Sequence, residues 1–410
     1  MTRKKNSILA MLAVALLAAL SACGGNSGSG GDNEVNIALV VPLSGDNASV
    51  GEQSENAAKL AVEDINANGG IKALDGAKIN LVVADSTNDP QGARTAMERV
   101  LSQGDIAGVW GVALSPLCTA AMPVLVRNHV PMVGACISDE LVTPANGGYY
   151  FQIAPKGSNF GKTQVEFLKS LNEQYDMGIT KAAILYVDNP YGQSTEQGIE
   201  DLAAQAGLDV VLKSAYPEDI TDASPLVSKI ERSGAQVVFP VSYISDSELI
   251  LSGLRTAGSD VLVVGGGAGF IWPPIGKALG DEVNGLTSVA SWNVNSKNVQ
   301  SSPELMKVAQ RYKEKYGTFM PEQAGEAYAG LWVLADAMEE AKSSDPQKVR
   351  DALSQIHITS GGATMMQPGE VKFDSNGANE AVTPVIIQWQ NGEPQTVYPP
   401  NLATAKVQQP

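Results

Sequence analysis

From Asn36 onward, short β-branched runs alternate with amphipathic stretches long enough for helices, and few architectures satisfy that alternation. Parallel strands need a crossover of a dozen or more residues between them, usually a helix, so the pattern points to parallel sheets with helices on both faces. NIALVV (36–41) leads through Pro42-Leu43-Ser44-Gly45 into a helix with Ala57, Leu60, Ala61 and Ile65 on one face, stopped by Asn68-Gly69-Gly70. KINLVVAD (78–85) precedes Asp89 as an N-cap and Pro90 in a first turn, with Ala93, Ala96, Met97, Val100 and Leu101 at helical spacing. AGVWG (107–111), a helix from about Ser115 to Arg127, VPMVG (130–134) and YYFQI (149–153) complete a first lobe. AAILYV (182–187), DVVLK (209–213), QVVFPV (236–241) and VLVV (261–264), separated by helices at 192–206, 222–233 and 244–257, make a second. The fold class is therefore α/β, with two doubly wound parallel-sheet lobes.

A strand near 286–290 is followed by helices at 303–316, 322–342 and 346–355 and a Gly/Pro-rich section, which together are too little for a third core. They pack back on the lobes, so the chain crosses between them several times and forms a hinge. A cleft is expected at the carboxyl ends of the strands. The boundaries read as 35–152 and 291–368 for lobe 1, 153–290 and 369–402 for lobe 2, and 403–410 as a tail.

The N-terminus carries an address rather than a fold. Arg3-Lys4-Lys5 precedes an apolar run from Ile8 to Leu20, too short to span a bilayer comfortably, and Leu20-Ser21-Ala22-Cys23 resembles a bacterial lipobox. Residues 1–22 read as a lipoprotein signal peptide and Cys23 as the acylated first mature residue; the alternative is an ordinary signal cut near Ala22. The Gly/Ser-rich stretch 23–34 is a tether between anchor and folded part. Cys118 and Cys136 remain, an even pair in an oxidising compartment; a disulfide and two separate buried thiols both fit.

Most kinds of chemistry find no support. With 28 Lys plus Arg against 44 Asp plus Glu and no basic cluster beyond the N-terminus, nucleic acid is excluded as a partner. The two histidines, His129 and His357, lie in no nucleophile or zinc pattern, and Ser115 lacks the G-x-S-x-G elbow. Gly265-Gly266-Gly267-Ala268-Gly269 fails both the dinucleotide fingerprint, whose third glycine would fall at Phe270, and the P-loop. It reads instead as a loop where backbone approaches a ligand or the neighbouring lobe. Asp374-Ser375-Asn376-Gly377 is a polar hairpin turn rather than a calcium loop. No enzyme, cofactor or metal site is expected. Tyr191, Tyr243, Trp272 and Trp292 fall at or beyond strand ends, where they could line the cleft.

The ordered blocks NIALVVPLSG, ENAAKLAVEDINANGGI, DSTNDPQGA, KAAILYVDNPYG, TDASPLVSKIERSGAQVVFPVSY and GEVKFDSNGA resemble the branched-chain amino-acid-binding (leucine/isoleucine/valine-binding) proteins of ABC importers, which have the type I periplasmic-binding fold. The resemblance runs from about Val35 to Pro400. It implies an exported, lipid-anchored receptor that closes two lobes on an amino acid or related small carboxylate and delivers it to a permease and its ATPase. Related receptors for amides, urea-like compounds or aromatic carboxylates, and sensory proteins of the same fold, are the alternatives.

Position by position, the resemblance places the ligand's carboxylate at Ser115, at a helix start that suits an anion. It places further backbone contacts at Cys136 and Ile137, where the family commonly has a small residue and a Thr. Val50 falls where an aromatic often covers the ligand, and Tyr191 and Tyr243 match ligand contacts in the second lobe. Gly267 stands where the family has a Glu that pairs with the ligand's ammonium. Either another acid serves, with Asp246, Glu326, Asp139 and Glu140 as candidates, or the ligand has no ammonium.

Overall fold

The computed structural model describes residues 33–409. Cys23, the signal segment and most of the tether lie outside the described residues. Among those described, no helix is long and apolar enough to cross a membrane.

The first lobe is built on a parallel sheet of β1 (Glu34–Val41), β2 (Lys78–Asp85), β3 (Ile106–Gly111), β4 (Met132–Gly134) and β5 (Tyr150–Gln152), in the order β2-β1-β3-β4-β5. Both faces of β1 are buried, because successive side chains point to opposite faces. Val35, Ile37, Leu39 and Val41 enter one apolar cluster, while Ala38 and Val40 enter the other. This two-sided burial explains the near-continuous apolar run NIALVV. Asp89 caps its helix as expected, its carboxylate accepting from Gly92 N at 2.9 Å with Pro90 in the first turn.

The second lobe holds β6 (Lys181–Val187), β7 (Asp209–Tyr216), β8 (Val237–Val241), β9 (Leu262–Gly265) and β10 (Thr287–Ala290), mutually parallel. Beyond the two-stranded pair β11 (His357–Ile358) and β12 (Val371–Lys372), the antiparallel hairpin β13 (Val385–Gln390) and β14 (Glu393–Tyr398) completes its sheet in the order β14-β13-β10-β9-β8-β6-β7.

Two expected boundaries need correction. Residues 369–382 belong with lobe 1 rather than lobe 2: Val371, Phe373 and Val382 join its apolar cluster, and Phe151 and Phe373 stack edge-on at 5.2 Å. Gln152 N also donates to Gly377 O at 2.8 Å, extending β5 into the polar turn, where Asp374 Oδ1 accepts from Asn376 N and Ala378 N. The chain thus returns to lobe 2 only at β13. Residues 403–409 are no free tail, since Ala405 and Val407 pack against buried apolar residues and Tyr175 OH donates to Val407 O at 3.2 Å. There Gln388 and Gln390 donate to the carbonyls of Gln408 and Lys406, each at 2.8 Å.

The helix Glu322–Ala341 packs on the helix Ala48–Ala67 of lobe 1. Two glycines fix its position by close approach: a Cβ on Gly330 would meet the Trp110 ring at 2.1 Å, and one on Gly325 the Trp292 ring at 2.4 Å. Its first turn is thereby held beside the crossing that follows β10.

Candidate functional site

The helix Ser115–Asn128 follows β3 directly, with Leu114 extended at its N-cap and no side-chain cap. First-turn N–H groups have no partner inside a helix, and the dipole adds positive character there, so the neighbourhood favours an anion. Pro116, in the same turn, contributes no donor, and Leu117 N already donates to Leu114 O at 3.0 Å, so what this start offers is centred on Ser115. Ser115 is buried, and its Oγ accepts from Ser138 N at 3.3 Å, joining the helix start to the loop after β4. Ser138 adds a buried hydroxyl with no hydrogen-bond partner. A disulfide between Cys118 and Cys136, Cα atoms 6.5 Å apart, ties helix and loop together covalently.

Between the lobes lies a cavity of about 410 Å³, its open mouth included. Ala113, Leu114, Ser115, Ala135 and Ile137 line it from lobe 1, together with Glu322, Gln323 and Glu326 from the helix packed on that lobe. Phe160, Tyr191, Tyr243, Ala268 and Trp272 line it from lobe 2, and Ser291 from the crossing after β10. The second-lobe wall is mainly aromatic. The rings of Tyr191 and Tyr243 lie 5.3 Å apart, and Tyr191 OH donates to Gly266 O at 2.7 Å, so Tyr191 offers the cavity its ring rather than its hydroxyl. Burial pushes both phenols well above their ordinary range and keeps them neutral.

The acidic end is built from Glu322 and Glu326, one turn apart on a helix and both buried. Ser291 N donates to Glu322 Oε1 at 2.5 Å, and Ser291 Oγ lies 2.7 Å from the same oxygen while also contacting Glu326 Oε1. Gln323 Nε2 donates to Glu322 Oε2 at 3.1 Å. Burial raises both carboxyls above the usual carboxylate range; the Glu322 charge raises Glu326 further, and donation from Ser291 opposes the rise at both. Trp272 Nε1 and Gln323 Oε1 are buried with no hydrogen-bond partner.

Of the residues the sequence singled out, Ser115, Ile137, Tyr191 and Tyr243 line the cavity, as do Trp272 and Glu326. Val50 does not: it is fully buried in the core, and its carbonyl accepts from Ser54 Oγ. Cys136 does not line it either; its sulfur is in the disulfide and its carbonyl accepts from Tyr150 OH at 2.9 Å, so it holds the loop in place. Gly267 sits beside the cavity at φ +95°, and a Cβ there would meet the Phe160 ring at 3.1 Å. Phe160 thus occupies the side where the family's Glu was expected.

Trp292 is a core residue whose indole donates to Met365 O at 2.6 Å. Asp246, Asp139 and Glu140 are engaged elsewhere, accepting from Ile220 N, from Ser158 and from Thr119 respectively. Sequence reasoning missed Phe160, Ser291, Glu322 and Gln323. One signal was present: like charges four apart repel on a helix, so Glu322 and Glu326 at the head of the largely apolar stretch EQAGEAYAGLWVLADAM called for a reason.

The family model described as periplasmic binding protein matches residues 34–393. A Leu/Ile/Val-binding protein homolog 8 of Brucella melitensis is 33% identical over 386 residues, covering 91% of this chain and 93% of that protein. Among solved structures, the branched-chain amino acid transporter substrate-binding protein LivJ of Streptococcus pneumoniae, in complex with isoleucine, superimposes with a TM-score of 0.75 at 21% identity, over 89% of this chain and all of that one. A solute-binding protein of an ABC transporter from R. palustris, in complex with benzoate, gives a TM-score of 0.75 at 14% identity, over 89% of this chain and 95% of that one.

Proposed function

The chain belongs to the periplasmic binding protein family, and on that premise we propose that it is the extracytoplasmic solute-binding component of an ABC importer for a branched-chain-type amino acid. The observation that carries this reading is the interlobe cavity with an anion-favouring helix start at Ser115 and an aromatic wall opposite. The ligand's carboxylate is held by Ser115 and neighbouring N–H groups, and its aliphatic side chain lies against Tyr191, Tyr243, Phe160 and Trp272. Export and lipid attachment at Cys23 place the receptor at the membrane, where the Gly/Ser tether gives it reach toward a permease with its ATPase.

Closure is the mechanism. A ligand touching both lobes stabilises the form in which they meet and shifts the population toward it, and the permease recognises that form. Contacts suited to hold it exist beside the cavity: the Asp139 carboxylate of lobe 1 accepts from Ser158 N at 3.0 Å and Ser158 Oγ at 2.6 Å, while Asp139 N donates to Ser194 Oγ at 3.1 Å. A thermal-shift screen of the chain from Gly24 with the natural amino acids tests the reading. Saturating ligand adds about 2.7 kcal/mol at 100 times its Kd, a shift of several degrees. Stabilisation by leucine, isoleucine or valine is expected; no shift with any amino acid would refute it.

A further inference from the structure

Resting on the amino-acid-binding reading above, we propose that Glu322 and Glu326 form the subsite for the ligand's ammonium group, and that the pair gives up a proton to solvent when that group binds. Ser291 Oγ contacts Oε1 of both carboxyls but has one hydrogen. It donates to Glu322, and the contact to Glu326 is completed by a proton on Glu326. Two buried carboxylates sharing one hydroxyl would otherwise repel with no cation between them. The empty pair therefore carries one proton and one negative charge.

The surroundings call for a ligand rather than an internal partner. Among the described residues, no Lys, Arg or His lines the cavity. The other titratable groups facing the pair are tyrosines: Tyr150 near Glu326 and Tyr191 near Glu322, with hydroxyls committed to Cys136 O and Gly266 O, and Tyr243 across the cavity. All three are held neutral by burial. Gln323 Oε1, more than nine-tenths buried on a cavity-lining residue, is an unpartnered acceptor next to the pair. An ammonium has three N–H donors, enough for Glu322, Glu326 and Gln323 Oε1. The balance is simple: the ligand keeps all its hydrogens, the carboxyl proton passes from Glu326 to water or buffer, and the bound site holds one cation against two carboxylates. The acid has thus moved from the second lobe to the first, so both polar ends of the ligand are gripped by one lobe and the other covers them with aromatic rings.

Calorimetric titration of the wild-type chain with its best-stabilising amino acid, in buffers of different ionisation enthalpy, reads the proton directly. Up to one proton released per ligand is expected below the pair's raised pKa, with affinity rising by up to about tenfold per pH unit as pH climbs from the ordinary carboxyl range toward that value. Glu326→Gln, which imitates the protonated form, should bind without proton release and with a flat pH profile. Amino-acid binding with no net proton release and no pH slope in the wild type would overturn the proposal while leaving the amino-acid receptor intact. Binding of deaminated carboxylates alone would overturn both.

Discussion

The two ends of the cleft solve opposite problems. On the proposed reading, an anion at the Ser115 end is met by neutral groups, the Ser115 hydroxyl and backbone at a helix start that the Cys118–Cys136 bridge ties to the neighbouring loop. At the Glu322 end the proposed ammonium is met by ionisable side chains that are buried together around Ser291. A neutral cradle can wait empty at little cost, whereas a pair of buried acids must hold a proton while it waits. One end is therefore indifferent to pH and the other is not.

Removing Glu322 should have the largest effect. Glu322→Gln leaves a buried ammonium without its main counter-charge and should weaken amino-acid binding by about 100-fold or more, while a deaminated carboxylate loses nothing; paired titrations with both ligand types check this. Ser115→Ala should cost about ten- to a hundredfold, as expected for a hydrogen bond to a charged group, and should weaken both ligand types alike. Equal losses for both ligands in Glu322→Gln would erase the distinction between the ends.

Asp139→Ala removes contacts between the lobes without touching the cavity. It should lower affinity by about tenfold or less through the cost of closure, with an unchanged ligand preference and a smaller ligand-induced compaction in small-angle scattering. Smaller still is the effect on stability at Gly267. There Ala, forced to φ +95° and ψ −145° in a region essentially reserved for glycine, should cost about 1–3 kcal/mol and lower Tm by a few degrees in a thermal melt.

Protonation supplies a further contrast. Carboxyls raised by burial stabilise the fold below their ordinary pKa, and that contribution is lost as pH rises through the raised value. Glu322, Glu326, and Asp246 and Asp336, the last two both pushed up to about 7, all act in this direction. The ligand-free Tm should fall as pH rises from about 5 to 8, while the shift produced by an amino acid grows over the same window. A deaminated ligand should give a pH-independent shift.

What the sequence disclosed follows the same division. Strand and helix periodicities marked both sheets, because burial of β1 on two faces and the capped helix after Asp89 are local consequences of residue pattern. The return of 369–382 to lobe 1 was hidden, since it depends on Phe373 meeting Phe151 and on Gln152 pairing with the Gly377 turn, contacts more than two hundred residues apart in sequence. Ser115 came from the family resemblance, and the structure places it on the cavity wall at a helix start. Val50 was misplaced because a family position was carried over without the local packing that buries it. Glu322 escaped notice because its helix reads as core on every face, and only the close approach of Gly325 and Gly330 to two tryptophans turns its first turn toward the cleft.

The most direct test of a ligand gripped at two ends is the crystal structure of the complex with the amino acid that stabilises the chain most. The expected result places the ligand's carboxylate within hydrogen-bond distance of Ser115 Oγ and its ammonium against Glu322 and Glu326. A ligand with its ammonium turned away from that pair, toward the Gly267 loop, would contradict it.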